Sequence, residues 1–129
     1  MKILVFGNPL SEKDNLALKL LPKLKKKFPN IEFKEIDPSE SLESEIEQEK
    51  LFALDVVHGI NKIKIIKDIE QLKTNKIYTM HDFDLALNLK LLKKVGKLKE
   101  IEIIGVPVKM NEREVIKKIS TYLHLILRK

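Results

Sequence analysis

Short apolar runs alternate along this chain with longer stretches in which leucine recurs at helical spacing. Residues 2–6, 51–57 and 101–106 form such runs, which are typical of strands buried on both faces of a sheet. Amphipathic stripes lie between or after them, at Ala17, Leu20, Leu21, Leu24 and Phe28 and at Val115, Ile119, Tyr122, Leu123 and Ile126. Buried strands that alternate with amphipathic helices predict an α/β fold, a three-layer α/β/α sandwich around a mostly parallel sheet.

Two further segments have the alternating pattern of strands with one solvated face. Residues 31–36 alternate apolar and polar side chains, and residues 62–66 alternate isoleucine with lysine. The second segment begins only a few residues after the strand at 51–57. This connection is too short for a helical crossover, so we expect an antiparallel strand, and its lysines suit a sheet edge. The prediction is therefore a five-stranded mixed sheet with one antiparallel strand.

Several residues mark expected helix boundaries and breaks. Pro22 falls inside the first helical stripe, where we expect a kink or a split because proline lacks a backbone N–H. Asn111, with Glu114 three residues later, is a capping signature for the last helix, and Gly96 is expected to end the helix before it. The acidic stretch 37–49 contains six acids and no base, and we expect it to be a solvated connector.

Composition limits the class of protein. At 129 residues the chain predicts a single domain, 1–129, and its 43% hydrophobic content supports one buried core. The absence of cysteine excludes disulfides, thiolate metal sites and cysteine nucleophiles. No run approaches the roughly 18 apolar residues of a membrane span, so we expect a soluble, cytoplasmic protein. The net charge of +6 comes mainly from helix-surface lysines, with only two arginines, which does not favour nucleic acid as a partner.

Acidic and imidazole side chains occur where parallel sheets bind ligands, beyond the carboxyl ends of the strands. Asp14 follows the first strand, Asp55 lies late in the third strand, and His81 lies just ahead of a leucine-rich helix. Each has a structural alternative: a helix N-cap for Asp14, a turn-stabilising role for Asp55, and a structural histidine at a helix entry for His81. Two carboxylates and one imidazole converging on one edge would leave coordination positions open, which suits a divalent transition metal shared with a substrate.

Two other interpretations stay open at this point. A receiver-like signalling domain would be phosphorylated on Asp55 and would use Lys109 after the last strand. It also needs paired acids directly after the first strand, where this chain has Gly7 and Asn8. A non-catalytic domain would bind metal or protein without performing chemistry. A nucleotide-binding loop is not indicated, because the chain lacks the glycine spacing of such loops.

Four segments together resemble the motifs of one family, the hydrogenase maturation endopeptidases. They are GNPL at 7–10 followed by an acid at Asp14, LDVV at 54–57, the stretch 75–86 that contains His81, and IIGVP at 103–107. No single motif is specific to the family. Their order and spacing, however, extend over nearly the whole chain, and the combination carries the resemblance.

The resemblance implies a fold, an activity and a site. The family has a phosphorylase/hydrolase-like sheet of five strands with one antiparallel strand. Its members clip a C-terminal extension from the large subunit of nickel-iron hydrogenases after nickel insertion. Carried over to this chain, the residues that contact nickel would be Asp14, Asp55 and His81, with the nickel supplied by the precursor. The precursor would be the partner of a monomeric enzyme, and the compact chain resembles an archaeal-type member.

The chain departs from the family pattern in two places. Lys13 and Asp14 stand where the family usually has Asp-Glu, so the first ligand would be a shorter acid with a basic neighbour, and Glu12 is a candidate substitute ligand. Asp37 and Pro38 stand where the family often has a glycine-rich Asp-Gly turn. We therefore expect the contacts made by that loop to differ.

Overall fold

Five strands and three α-helices make up the computed structural model, which describes residues 1–6, 16–37, 42–57, 60–69 and 80–128, with the backbone alone at 16–18 and 80–85. The strands are β1 (Lys2–Phe6), β2 (Glu32–Ile36), β3 (Lys50–Val57), β4 (Lys64–Ile66) and β5 (Glu100–Pro107). The helices are α1 (Leu16–Lys27), α2 (Met80–Lys94) and α3 (Glu112–Leu127), and a 3₁₀ turn (Glu43–Glu45) precedes β3. The strands and helices follow the order that the apolar runs predict.

All five strands belong to one mixed sheet, in the order β2-β1-β3-β5-β4. β1, β2, β3 and β5 run parallel, whereas β4 lies at an edge and pairs antiparallel with β5. The predicted five-stranded mixed sheet with one antiparallel strand is therefore confirmed. β3 is the central strand, and its pairing with β5 sets Asp55 beside Gly105.

The central strand contributes to an apolar cluster on each face of the sheet. On one face Leu54 and Val56 pack with α1 and α3. On the other face Ala53 and Val57 pack with α2. The buried residues of the two predicted helix stripes belong to the first cluster. They are Leu20, Leu21, Leu24 and Phe28 in α1 and Val115, Ile119 and Leu123 in α3. Helices thus cover both faces, as expected for a three-layer sandwich.

The helix boundaries agree with two local predictions and contradict a third. The Asn111 side chain accepts a hydrogen bond from the Arg113 backbone N–H at 2.8 Å and so caps α3. Gly96, with φ of +80°, follows the end of α2. The split predicted at Pro22 is wrong, because α1 continues through that residue while Leu24 and its neighbours stay buried. In the described part of the chain, no helix is long and apolar enough to cross a membrane.

Candidate functional site

Asp55 is the predicted ligand whose side chain is described. It is the sixth residue of the eight in β3 and is only 5% exposed, so it lies within the central strand and not in a turn. Burying a carboxylate is costly unless it has a charged or hydrogen-bonding partner, and Asp55 does take part in a polar interaction. Its position argues against the turn-stabilising alternative.

The Asp55 side chain lies on the face of the sheet that α2 covers. Ala53 and Val57, two residues to either side of it, belong to the apolar cluster on that face, and side chains alternate along a strand. Only residues 95–99 join α2 to β5, so α2 ends near the amino end of β5 and runs back across the sheet. The 15 residues of α2 span about 22 Å, close to the roughly 26 Å of the eight-residue β5. The first turn of α2 therefore lies towards the carboxyl ends of β3 and β5.

The other predicted ligands are described less fully. His81 lies in the first turn of α2 and not ahead of the helix, because α2 begins at Met80, and its side chain is outside the described residues. Asp14 and its candidate substitute Glu12 also lie outside the described residues. Among the side chains that are described, no three acids or histidines form a group that could hold a metal. The structure thus brings the buried Asp55 and the helix that starts near His81 to one face of the sheet, and the complete trio stays a prediction.

The topology argues against the receiver interpretation. Flavodoxin-like receiver domains have a parallel sheet in the order 2-1-3-4-5. Here the edge strand is β4, which is antiparallel and lies outside β5. Lys109 is exposed in the turn after β5, and Asp55 is buried in β3.

Another buried carboxylate, which the sequence did not predict, lies at the opposite end of the sheet. Glu45 belongs to the acidic stretch expected to be a solvated connector, yet it is only 9% exposed. Lys2 Nζ donates to Glu45 Oε2 at 2.9 Å, and Lys34 Nζ donates to Glu45 Oε1 at 2.5 Å. The hydrogen bond from Lys2, followed by that from Lys34, holds the pKa of the Glu45 carboxyl group below its usual value. The expectation of a solvated connector is therefore wrong at this residue.

One feature of the sequence could have indicated that Glu45 is buried beside Lys2. Leu42 and Ile46 are apolar residues four apart within the acidic stretch, and both pack into the apolar cluster on the α2 face. Their burial carries Glu45 inward against the start of β1. A cavity of about 360 Å³ lies there, lined in part by Lys2, Glu45 and Lys50. Since Lys2 and Glu45 already pair with each other, this cluster stabilises the fold and is not a candidate for catalysis.

Comparison with known proteins supports the fold across nearly the whole chain. The chain is similar to the NiFe hydrogenase maturation protease HybD from Thermococcus kodakarensis, with a TM-score of 0.62 and 19% identity over 95% of this chain and 99% of that one. It is also similar to the hydrogenase maturating endopeptidase HybD from E. coli, with a TM-score of 0.55 and 20% identity over 83% of this chain and 74% of that one. An uncharacterized protein from Wolinella succinogenes follows, with a TM-score of 0.51 and 15% identity over 82% of this chain and 72% of that one.

These likenesses establish a shared fold. No family model and no curated protein matches the sequence. The resemblance drawn from the four sequence segments is confirmed at the level of the fold, including the antiparallel edge strand.

Proposed function

We propose that this protein is an endopeptidase that removes the C-terminal extension of a nickel-iron hydrogenase large-subunit precursor after nickel insertion. The observation that carries the proposal is Asp55, a carboxylate buried in the central strand on the face covered by the helix that contains His81. It occurs in a fold that two solved hydrogenase maturation proteases share. We further propose that the protein acts in the cytoplasm as a monomer.

The proposed site consists of Asp14, Asp55 and His81, with Glu12 as a candidate substitute for Asp14. Nickel is part of the substrate here, since the precursor carries it. Carboxylate and imidazole donors suit divalent nickel, and three protein ligands leave coordination positions for groups of the precursor. A buried carboxylate such as Asp55 is compatible with this role, because pairing with a cation offsets the cost of its burial.

The chain's own residues would recognise and orient the precursor. β3 pairs with β1 on one side and with β5 on the other, where Asp55 lies opposite Gly105. The backbone of β3 around Asp55 is therefore held in place by two neighbouring strands. Ligands on strands and helix starts are more precisely oriented than ligands on long loops. Bound nickel would supply a Lewis acid that polarises the scissile carbonyl or an anchor that positions the peptide. Cleavage by a cysteine nucleophile is excluded, because the sequence contains no cysteine.

The proposal is tested by incubating the protein with nickel-loaded and nickel-free precursor and following the C-terminal extension by intact mass. We expect cleavage of the loaded precursor only. Equal cleavage of both forms would contradict recognition of nickel, and cleavage of neither would contradict the peptidase. Nickel binding without any cleavage would instead support the non-catalytic binding domain.

A further inference from the structure

The helix α2 carries large apolar side chains on both of its faces. Its inner face packs on the sheet through Ala86 and Leu89, which are buried in the apolar cluster there. Its outer face carries Leu87 and Leu91, which are 47% and 53% exposed, and Val95 follows the helix at 64%. A helix on the surface of a domain normally has a polar outer face, and one that is apolar on both faces is typical of a helix covered on both sides.

The three exposed apolar residues form one continuous surface, which we call the outer ridge of α2: Leu87, Leu91 and Val95. They are four residues apart, so they lie on successive turns of one helix face. The Val95 backbone N–H donates to the carbonyl oxygen of Leu91 at 3.1 Å, which continues the helical turn through Val95. The ridge is therefore about 12 Å long. Single exposed apolar residues are normal, whereas a contiguous exposed patch is typical of an interaction surface.

Lysines border the outer ridge on one side. Lys90 and Lys94 each follow a leucine of the ridge by three residues, which places them beside it on the helix surface. The segment 85–99 contains five lysines and no acid. Lys97 pairs with Glu43, but no acid among the described residues pairs with Lys94. The surface complementary to the ridge is thus an apolar patch bordered by acidic side chains.

The outer ridge begins close to the candidate site. Leu87 lies six residues after His81 on the same helix, about 9 Å along its axis. The first turn of α2 lies towards the carboxyl ends of β3 and β5, and Asp55 is in β3 on the face that α2 covers. A folded precursor that brings its C-terminal extension to this edge must also cover the protein surface next to it. The outer face of α2 is continuous with that edge.

A second copy of this chain fits the outer ridge less well. In a symmetric contact through the ridge, the twofold axis would pass near its midpoint at Leu91. The neighbouring Lys90 side chains of the two copies would then meet near that axis, and like charges at the centre of an interface disfavour association. A partner with acids beside its apolar patch has no such cost.

We propose that the outer ridge of α2 is the docking surface for the folded body of the precursor, which presents to it an apolar patch bordered by acidic side chains. The inference rests on the proposed function and adds how the partner is held. α2 then serves the precursor twice, through His81 in its first turn and through the outer ridge along its exposed face. Binding energy gained away from the reacting atoms acts mainly on KM and less on kcat.

The experiment compares the wild type with the double variant Leu87→Gln/Leu91→Gln on nickel-loaded precursor. Glutamine is a good helix former, so the exposed face becomes polar while the helix is kept. The matched control is Leu125→Gln, the same change at a leucine of α3 that is 54% exposed on the opposite side of the sheet. We expect the double variant to raise KM about thirtyfold, the effect of one interface hot spot, with kcat within about twofold. Leu125→Gln should leave KM unchanged.

The acidic border of the partner is tested by reversing one charge. Lys94→Glu should raise KM several-fold at low salt, and the effect should shrink as the salt concentration increases. Lys118→Glu, the same change at an exposed lysine of α3, is the control and should leave KM unchanged. Equal effects of the two variants would overturn the acidic border, because net charge alone would then explain them.

A further arm measures docking without turnover, by calorimetric titration of nickel-free precursor into each variant. Docking on the ridge does not involve nickel, so the wild type should bind and the double variant should bind about thirtyfold more weakly. If the wild type binds this precursor but cleaves neither form, the proposed function is overturned and the docking surface stands. If the wild type cleaves loaded precursor and the double variant leaves KM and Kd unchanged, or the wild type does not bind the nickel-free form, this inference is overturned and the proposed function stands.

Two other occupants of the ridge are outcomes of the same comparison. Sedimentation velocity would detect a dimer of the wild type that the double variant loses. Co-sedimentation with vesicles of anionic phospholipid would detect a membrane contact that the double variant loses. Either result together with an unchanged KM would overturn the inference, because the ridge would then bind a second copy or a bilayer and not the precursor.

Discussion

The two ends of the sheet use charge in different ways. At the amino end the carboxylates are matched by lysines of the same chain: Glu45 pairs with Lys2 and Lys34, and Lys99 pairs with Glu49. At the carboxyl end the buried acid Asp55 lies in the central strand, on the face that α2 covers. Charges that neutralise each other within the chain stabilise a fold. A buried acid on a rigid strand, near the first turn of a helix, is suited to orient a ligand.

The largest expected effect belongs to the carboxyl end. Asp55→Asn keeps the volume of the side chain and removes its negative charge. We expect cleavage of nickel-loaded precursor to fall by at least about 100-fold, since a lost ligand should cost no less than a lost outer contact of a metal site. The measurement is the initial rate by intact mass, together with calorimetric titration of nickel into wild type, Asp55→Asn and His81→Ala. Three coinciding titration curves would contradict the site assignment.

The next effect belongs to the amino end and concerns stability. Glu45→Ala should lower the free energy of unfolding by about 2–3 kcal/mol, because it leaves the largely buried Lys2 ammonium without its nearest acceptor. Urea unfolding measures the change. Glu47→Ala is the matched control, since Glu47 is exposed and lies 3.8 Å from Lys2 Nζ, and it should cost less than about 0.5 kcal/mol. The folded Glu45→Ala protein should cleave precursor at the wild-type rate, and a loss of activity there would remove the distinction between the two ends.

The pH dependence of this stability follows from the direction of the shift in pKa. The hydrogen bonds from Lys2 and Lys34 hold the pKa of Glu45 in the folded protein below its ordinary value of 4.5. Stability from a lowered pKa is fully present above the unfolded value and is lost as the pH falls through the folded value. The difference in unfolding free energy between wild type and Glu45→Ala should therefore be constant from pH 7 to about 5 and shrink below 4.5. A difference that persists unchanged at pH 3 would show that packing, not charge, is responsible.

The sequence predicted most of the fold because its central strands are buried on both faces. Such strands appear as continuous apolar runs, as in β3 and β5, whatever their neighbours are. The direction of β4 followed from the length of the connection before it. The split at Pro22 was wrong because local propensity is only a weak prior, and the burial of Leu24 and its neighbours outweighs one lost backbone hydrogen bond.

The positions and partners of the charged residues at the two ends of the sheet were harder to predict from the sequence. Asp55 could be singled out because one acid within an apolar run is anomalous by itself. Glu45 could not, because its two partners lie in β1 and β2, 43 residues away at Lys2 and 11 residues away at Lys34. The neighbours of Asp55 depend likewise on the register of β3 with β5, and register across a sheet is not encoded in any local pattern.

The smallest expected effect is on stability, and it concerns Tyr122 at the amino end of the sheet. Tyr122 of α3 donates its hydroxyl to Glu102 of β5, and burial, followed by this hydrogen bond, raises the pKa of the tyrosine above its ordinary value of 10.0. Tyr122→Phe should lower the unfolding free energy by about 1 kcal/mol, the ordinary net contribution of one hydrogen bond, because the tyrosine is only partly buried and the ring stays packed. Cleavage weakened by about tenfold or more in the folded variant, the equivalent of about 1.4 kcal/mol, would mean that the amino end also serves the reaction. Thr121→Val, which removes an exposed hydroxyl bonded to the carbonyl oxygen of Lys117, is the control and should change stability by less than about 0.5 kcal/mol.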